Sequence, residues 1–248
     1  VVVPIEEWIF DREPWQPRLK EYIEKLSPDA VFHVGACADT MNTNVNYMMT
    51  RNVESTMILA DWCRGNNIPM IYSSSAAVEG SHGHPETLYA WSKYLFDRWV
   101  FQQHNDVMVQ GFRYFNVYGK WMHLRGRRAN VIHKWRTQAR KEGKITVWTG
   151  AEDIKRDWTW VGDVCRLHID FIKQVNGSGI WNVGSGLGHS FLDIAEEIAE
   201  IEGVEIEFES IPLAEQSRMR VKTCADLKLL KKTVGSRQWL NVFEFLNQ

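Results

Sequence analysis

No apolar run in this 248-residue chain approaches the roughly 18–20 residues that a bilayer-spanning helix needs, so no such helix is expected. Residues 1–5 carry no basic segment and no cleavage pattern, and no secretory leader is expected in them. Cysteine is sparse. Cys37, Cys63, Cys165 and Cys224 lie far apart and form no CxxC pair, which speaks against a zinc ribbon or a disulfide framework and for reduced thiols in a cytoplasmic protein. Net charge is nearly absent: 29 Lys and Arg against 31 Asp and Glu give a formal charge of −2, with no general attraction to nucleic acid or membrane. Glycine is missing before Gly35. What remains is ordinary globular composition, 44% hydrophobic and 24% charged, long enough for one large domain or two unequal ones. Twelve tryptophans are many, and packing accounts for them.

The first half alternates two periodicities. Helical spacing covers 15–26, about 45–65 and about 87–104; short apolar strands cover 30–34, 69–73 and 107–112. Such alternation predicts an α/β fold with a parallel sheet covered on both faces. In the second half, residues 120–144 hold nine basic residues against one acid, Glu142. Within it 131–140 can be helical, one face solvated. Further on, 145–148, 179–183 and 204–209 read as strands. Residues 161–174, 226–232 and 239–246 read as helices, and Ser190 with Asp193 forms a capping box for a helix to about 201.

The most informative local pattern is Tyr89-Ala-Trp-Ser-Lys93, on a helix that follows a strand ending in Ser73-Ser74-Ser75. Tyr and Lys four apart share a helix face. A neighbouring ammonium favours phenolate over phenol, so such a tyrosine can serve as general acid or base at a carbinol. Strand carboxyl ends are where open α/β sheets bind ligands.

Several segments resemble the extended short-chain dehydrogenase/reductase superfamily of nucleotide-sugar epimerases and dehydratases, and within it the ADP-glycero-manno-heptose 6-epimerase branch. They are His33-Val-Gly-Ala-Cys37, Tyr47-Met-Met-Thr-Arg-Asn52, Tyr89–Lys93, Gly111-Phe-Arg-Tyr-Phe-Asn-Val-Tyr-Gly119, Lys155-Arg-Asp-Trp-Thr-Trp-Val-Gly-Asp163 and Trp181-Asn-Val-Gly-Ser-Gly186. The resemblance implies a doubly wound Rossmann-like sheet. It implies a partial NAD(P)-binding domain at 1–119 and a mainly substrate-binding lobe at 120–248, interleaved with the last Rossmann elements at about 155–185. It implies transient oxidation of a sugar carbinol by bound NADP or NAD. Tyr89 would be the general acid/base, Lys93 its partner and a cofactor ligand, and Ser75 the hydroxyl on the substrate oxygen. Val34, Gly35, Ala36, Cys37, Ala38 and Asn52 would lie along the cofactor. Asn116 and Arg156 would hold the nucleotide diphosphate of the sugar. A homo-oligomer is implied as well. The alternatives are a dehydratase or reductase of the same superfamily, and a non-catalytic nucleotide-sugar-binding homologue.

Three departures stand out. The opening strand, glycine-rich turn and helix of the superfamily have no counterpart, so an N-terminally incomplete member is expected rather than a degenerate one, with an open apolar edge on the strand at 30–34 and poor solubility. Arg125 stands where the heptose branch carries a lysine base; arginine stays protonated and can orient a substrate but not take its proton. Glu79 stands where the superfamily often has tyrosine.

Two other patterns are expected to be bland. Gly184-Ser-Gly186-Leu-Gly188 has the context of a phosphate loop but the wrong spacing, and reads as a tight turn. His82-Gly-His84 lacks the company a metal site needs, and no metal is expected.

Overall fold

Apolar strands alternating with amphipathic helices give an α/β fold in the computed structural model, which describes residues 13–80, 83–102, 108–212 and 222–248. The apolar opening at 1–5 and His82 of the histidine pair lie outside the described residues. The chain divides into two compact units, Val1–Arg113 with Asp170–Trp181, and Tyr114–Ile169 with Asn182–Gln248.

The first unit is organised by a sheet of order β1 (Val31–His33), β2 (Met70–Ser75), β3 (Val109–Tyr114) and β8 (Gly179–Val183), in which β1 and β2 run parallel. β1 is thus an edge strand among the described residues, and Phe32 on it is 47% exposed. Helix α1 (Gln16–Leu26) starts with a proline in its first turn, where the fixed φ suits a helix and no N–H is lost. Its Leu19 and Ile23, with Trp15 just before it, are buried in a core shared with Leu59, Met70, Tyr72 and Phe96.

The helix expected as one piece over 45–65 is interrupted. An α segment, α2 (Val45–Met49), runs into a π turn (Thr50–Glu54) and then α3 (Ser55–Gly65). The cause is local. The Ser55 hydroxyl donates to the Arg51 carbonyl at 3.0 Å and the Thr56 hydroxyl to the Asn52 carbonyl at 3.0 Å, so side chains enter the backbone ladder.

In the second unit, α5 (Val131–Glu142) and α7 (Phe191–Glu202) pack on β5 (Lys144–Trp148) around Trp135, Ile145, Ile194 and Ile198. β10 (Glu205–Glu209) pairs with β5 in parallel. β6 (Lys155–Asp157) lies between β9 (Gly188–Ser190) and β11 (Lys222–Thr223). Two charges of the basic stretch are spent here: Arg140 grips Glu202 with Nη2 at 2.6 Å, and Arg136 lies 3.8 Å from the same carboxylate. Residues at the start of the basic stretch form a 3₁₀ segment (Lys120–Arg128), and helix α6 (Val161–Gln174) has the expected bounds.

Candidate active site

The site of the first unit begins where β2 leaves the core. Met70 to Ser74 are buried; Ser75 is half-buried and starts a 3₁₀ turn (Ala76–Glu79), its Oγ accepting the Ala77 N–H at 3.2 Å. The Ser75 hydroxyl proton is left to give to another oxygen.

Helix α4 (Leu88–Gln102) follows, its start held by the Thr87 hydroxyl, which accepts from Ala90 N at 3.1 Å. Tyr89 is half-buried on its first turn. One turn on, Lys93 is 5% exposed, and its Nζ donates to the Ser73 carbonyl at 2.7 Å and the Ser73 hydroxyl at 3.2 Å. Burial draws the Lys93 pKa down to about 8, while Asp97 and Cys37 pull it back up. On the β1 side, His33 is buried with Nε2 3.0 Å from the Thr56 hydroxyl; burial first, and the charge of Lys93 second, lower its pKa to about 3. The structure therefore brings Ser75, Tyr89 and Lys93 onto one strand end and the helix after it, with a neutral imidazole behind.

A cluster that the sequence did not reveal lies one further turn along α4. Asp97 is fully buried; the Tyr72 hydroxyl donates to Oδ1 at 2.8 Å and Arg113 Nε to Oδ2 at 2.9 Å. Arg113 also comes within 3.8 Å of Glu79. Burial raises the Asp97 carboxyl and the Arg113 guanidinium lowers it, while burial and Asp97 hold Tyr72 well above the usual phenol range, as a neutral donor. The available signal was an acid four residues after Lys93, on the same face.

After β1, Val34, Gly35 and Ala36 are exposed, Cys37 is buried and Ala38 half-buried. No atom lies within 4 Å of where a side chain at Gly35 would sit, so the backbone borders open space there. Asn52 fixes the shelf from below. Its Oδ1 accepts from Cys37 N at 2.8 Å, and its Nδ2 donates to the Cys37 carbonyl at 3.0 Å and to Ser92 Oγ at 2.9 Å. With its amide engaged in this way, Asn52 fixes the Cys37 backbone. An open backbone shelf at a strand's carboxyl end, with a buried ammonium in the same unit, suits a dinucleotide.

The remaining expected residues belong to the second unit. Asn116 has a φ of 27°, a region disfavoured for side chains, and its Nδ2 reaches the Asp157 carbonyl and Thr223 Oγ1, each at 3.4 Å. Thr223 is the register partner of Arg156, whose guanidinium lies 5.2 Å from the Phe191 ring. Arg125 is exposed on the 3₁₀ segment.

The glycine-rich turn holds an anion of the protein's own. Asp157 accepts from Ser185 N at 2.7 Å, Ser185 Oγ at 2.6 Å, Gly186 N at 2.9 Å and Ala225 N at 3.0 Å. A Cβ at Gly184 would sit 2.5 Å from Asp157 Oδ2. No group of metal-ligating side chains forms among the described residues.

Comparison with known proteins agrees with this geometry. The pattern of the family described as NAD dependent epimerase/dehydratase matches residues 13–184. A protein from Brachyspira hyodysenteriae named ADP-L-glycero-D-manno-heptose-6-epimerase is 34% identical over 239 residues, 90% of this chain and 75% of that one. One of the same name from Alkalilimnicola ehrlichii is 36% identical over 231 residues, 86% of this chain and 72% of the other. The crystal structure of Helicobacter pylori ADP-L-glycero-D-manno-heptose-6-epimerase superposes with a TM-score of 0.82 at 25% identity, covering 94% of this chain and 73% of that one. Thermotoga maritima UDP-glucose 4-epimerase with UDP-glucose shares the fold, with a TM-score of 0.82 at 20% identity, over 96% of this chain and 80% of that one.

Proposed function

The chain belongs to the NAD-dependent epimerase/dehydratase family, and from that premise we propose that it is a nucleotide-sugar epimerase acting on an ADP-glycero-manno-heptose at carbon 6. The observation that carries the reading is the buried Lys93, four residues after Tyr89 on one helix and moored to Ser73 near the end of the strand that leads to Ser75, in a chain whose relatives carry this epimerase name. NAD, when bound, accepts and returns the sugar hydride.

The protein's own part is proton handling and orientation. Tyr89 takes the proton of the C6 hydroxyl as it becomes a carbonyl and gives it back after that exocyclic carbonyl has turned its other face to the returning hydride. Ser75, its Oγ already accepting from Ala77 N, donates its hydroxyl proton to the same oxygen. Lys93 supplies the positive charge that favours the Tyr89 phenolate. Residues Val34 to Ala38 form the cofactor shelf, braced by Asn52, and Lys93 also meets the cofactor ribose; the pyridine nucleotide is NAD or its 2′-phosphate. In the second unit Asn116 and Arg156 hold the diphosphate, with Arg125 as a further cation. Since Arg125 cannot take a proton, Tyr89 is the single base.

No helix among the described residues is long and apolar enough to cross a membrane, and a cytoplasmic setting suits the free cysteines. The exposed side of α4, with Trp91, Leu95 and Phe101, supports a homo-oligomer.

The test is incubation of the protein with NAD and ADP-glycero-manno-heptose, followed by NMR at carbon 6 and mass spectrometry. Inversion at constant mass is expected. Loss of one water would assign a dehydratase instead, and binding of both ligands without turnover a non-catalytic homologue.

A further inference from the structure

We propose that Asp97, clamped between Tyr72 and Arg113, is the counter-ion that keeps Lys93 charged in its buried seat, and so is a positioning residue for Tyr89. The inference rests on Tyr89 and Lys93 being the reacting pair.

The argument starts from what surrounds the ammonium. Both hydrogen bonds from Lys93 Nζ go to the uncharged oxygens of Ser73, and the side chain is almost wholly removed from water. A buried cation without a nearby anion gives up its proton. The titratable groups that act on Lys93 are His33 from β1, Cys37 from the loop after it, and Asp97 from its own helix, on which Tyr89 lies one turn earlier. His33 is held neutral, so it offers no negative charge. Asp97 is an acid with a donor on each oxygen, one of them cationic; burial raises its pKa, and these donors oppose that by favouring the carboxylate. It makes no hydrogen bond to Lys93, whose donors go to Ser73; it acts through its field, one helical turn away, in a setting with little water to screen it. Tyr72 comes from β2 and Arg113 from β3, so three elements fix where that charge sits.

The experiment titrates Lys93 directly, by the 13Cε shift of labelled lysine in the full chain, with Lys93→Met assigning the resonance. In Asp97→Asn the Lys93 midpoint is expected to fall by about one pH unit, a tenfold loss of proton affinity, with partial recovery in Asp97→Glu. In the same variant kcat is expected to begin to fall about one pH unit earlier on the alkaline side, because the phenolate loses its cation there. An unchanged midpoint in a folded Asp97→Asn protein would overturn the proposal. If that variant does not fold, Tyr72→Phe serves: it removes one of the two donors that favour the Asp97 carboxylate. The Lys93 midpoint should then fall, by less than in Asp97→Asn, and a midpoint that holds or rises would overturn the proposal. A normal response of Lys93 together with full activity of Tyr89→Phe would fault the catalytic reading alone and leave the counter-ion role standing.

Discussion

Asn52 and Cys37 pair like neighbouring strand residues, although one partner is a side chain: Cys37 N donates to Asn52 Oδ1 at 2.8 Å, and Asn52 Nδ2 returns a bond to the Cys37 carbonyl at 3.0 Å. The same Nδ2 reaches Ser92 Oγ, which donates to the Tyr89 carbonyl at 2.7 Å. One buried amide thus joins the loop after β1 to the first turn of α4, the helix that carries Tyr89 and Lys93.

Replacing Asn52 tests that link. Aspartate is nearly isosteric but cannot donate to Cys37 or Ser92, and alanine loses every side-chain bond to Cys37, Ser92 and Met48. Either change should cost about 2–4 kcal/mol, the range for breaking a buried hydrogen-bond network. Urea denaturation measures the loss, and calorimetry should show NAD binding weakened roughly tenfold as the shelf relaxes.

Tyr89→Phe removes one oxygen from a half-buried side chain. Turnover should fall by about 10²–10⁴, the range for a lost general acid/base, with little change in the thermal midpoint. Unchanged turnover would remove Tyr89 from the reaction.

Acid sensitivity should trace to His33. Its pKa is lowered from 6.5 to about 3 in the fold, so below pH 6.5 the unfolded chain binds a proton that the folded one refuses. The sign follows: this group's contribution rises with pH between about 3 and 6.5 and is a growing penalty as pH falls through that window. At pH 5 the penalty is about 2 kcal/mol. Denaturation curves at pH 5 and pH 7.5 should lie closer together for His33→Gln than for the unaltered protein.

The glycine-rich turn offers a contrasting case. Asp157→Asn places an amide N–H₂ where Gly186 N and Ala225 N already donate, and should cost on the order of 3 kcal/mol. Gly184→Ala should cost a similar amount through the close approach to Asp157. NAD affinity should stay within about twofold in both, because the cofactor shelf is elsewhere. A large loss of NAD binding at constant stability would return the turn to the cofactor.

Local signals carried much of this protein in its sequence. The bounds of α6 and β8, the Ser190–Asp193 capping box and the spacing of Tyr89 and Lys93 are all set by neighbours a few residues apart, and periodicity or cap chemistry records such things. Arrangements assembled from distant segments left no comparable mark. Tyr72, Asp97 and Arg113 meet only once β2, α4 and β3 are packed, and nothing near Asp157 says that residues 184–186 will close on it. Strands of two residues, such as Val117–Tyr118 and Thr159–Trp160, are too short to show alternation at all. The resemblance to relatives supplied roles for residues but no hydrogen bonds; that Lys93 is moored to Ser73 is visible only in three dimensions.

The π turn at Thr50–Glu54 makes this stretch sensitive to chain length more than to composition. Deleting a single residue there would restore a regular helix and rotate everything after it by about 100°, the phase of one residue. Leu59, Ala60 and Cys63, now buried, would swing toward solvent, while Asn52 would lose its aim at Cys37. Related chains should therefore tolerate varied side chains at the other positions of this turn while keeping Asn52 and the number of residues constant.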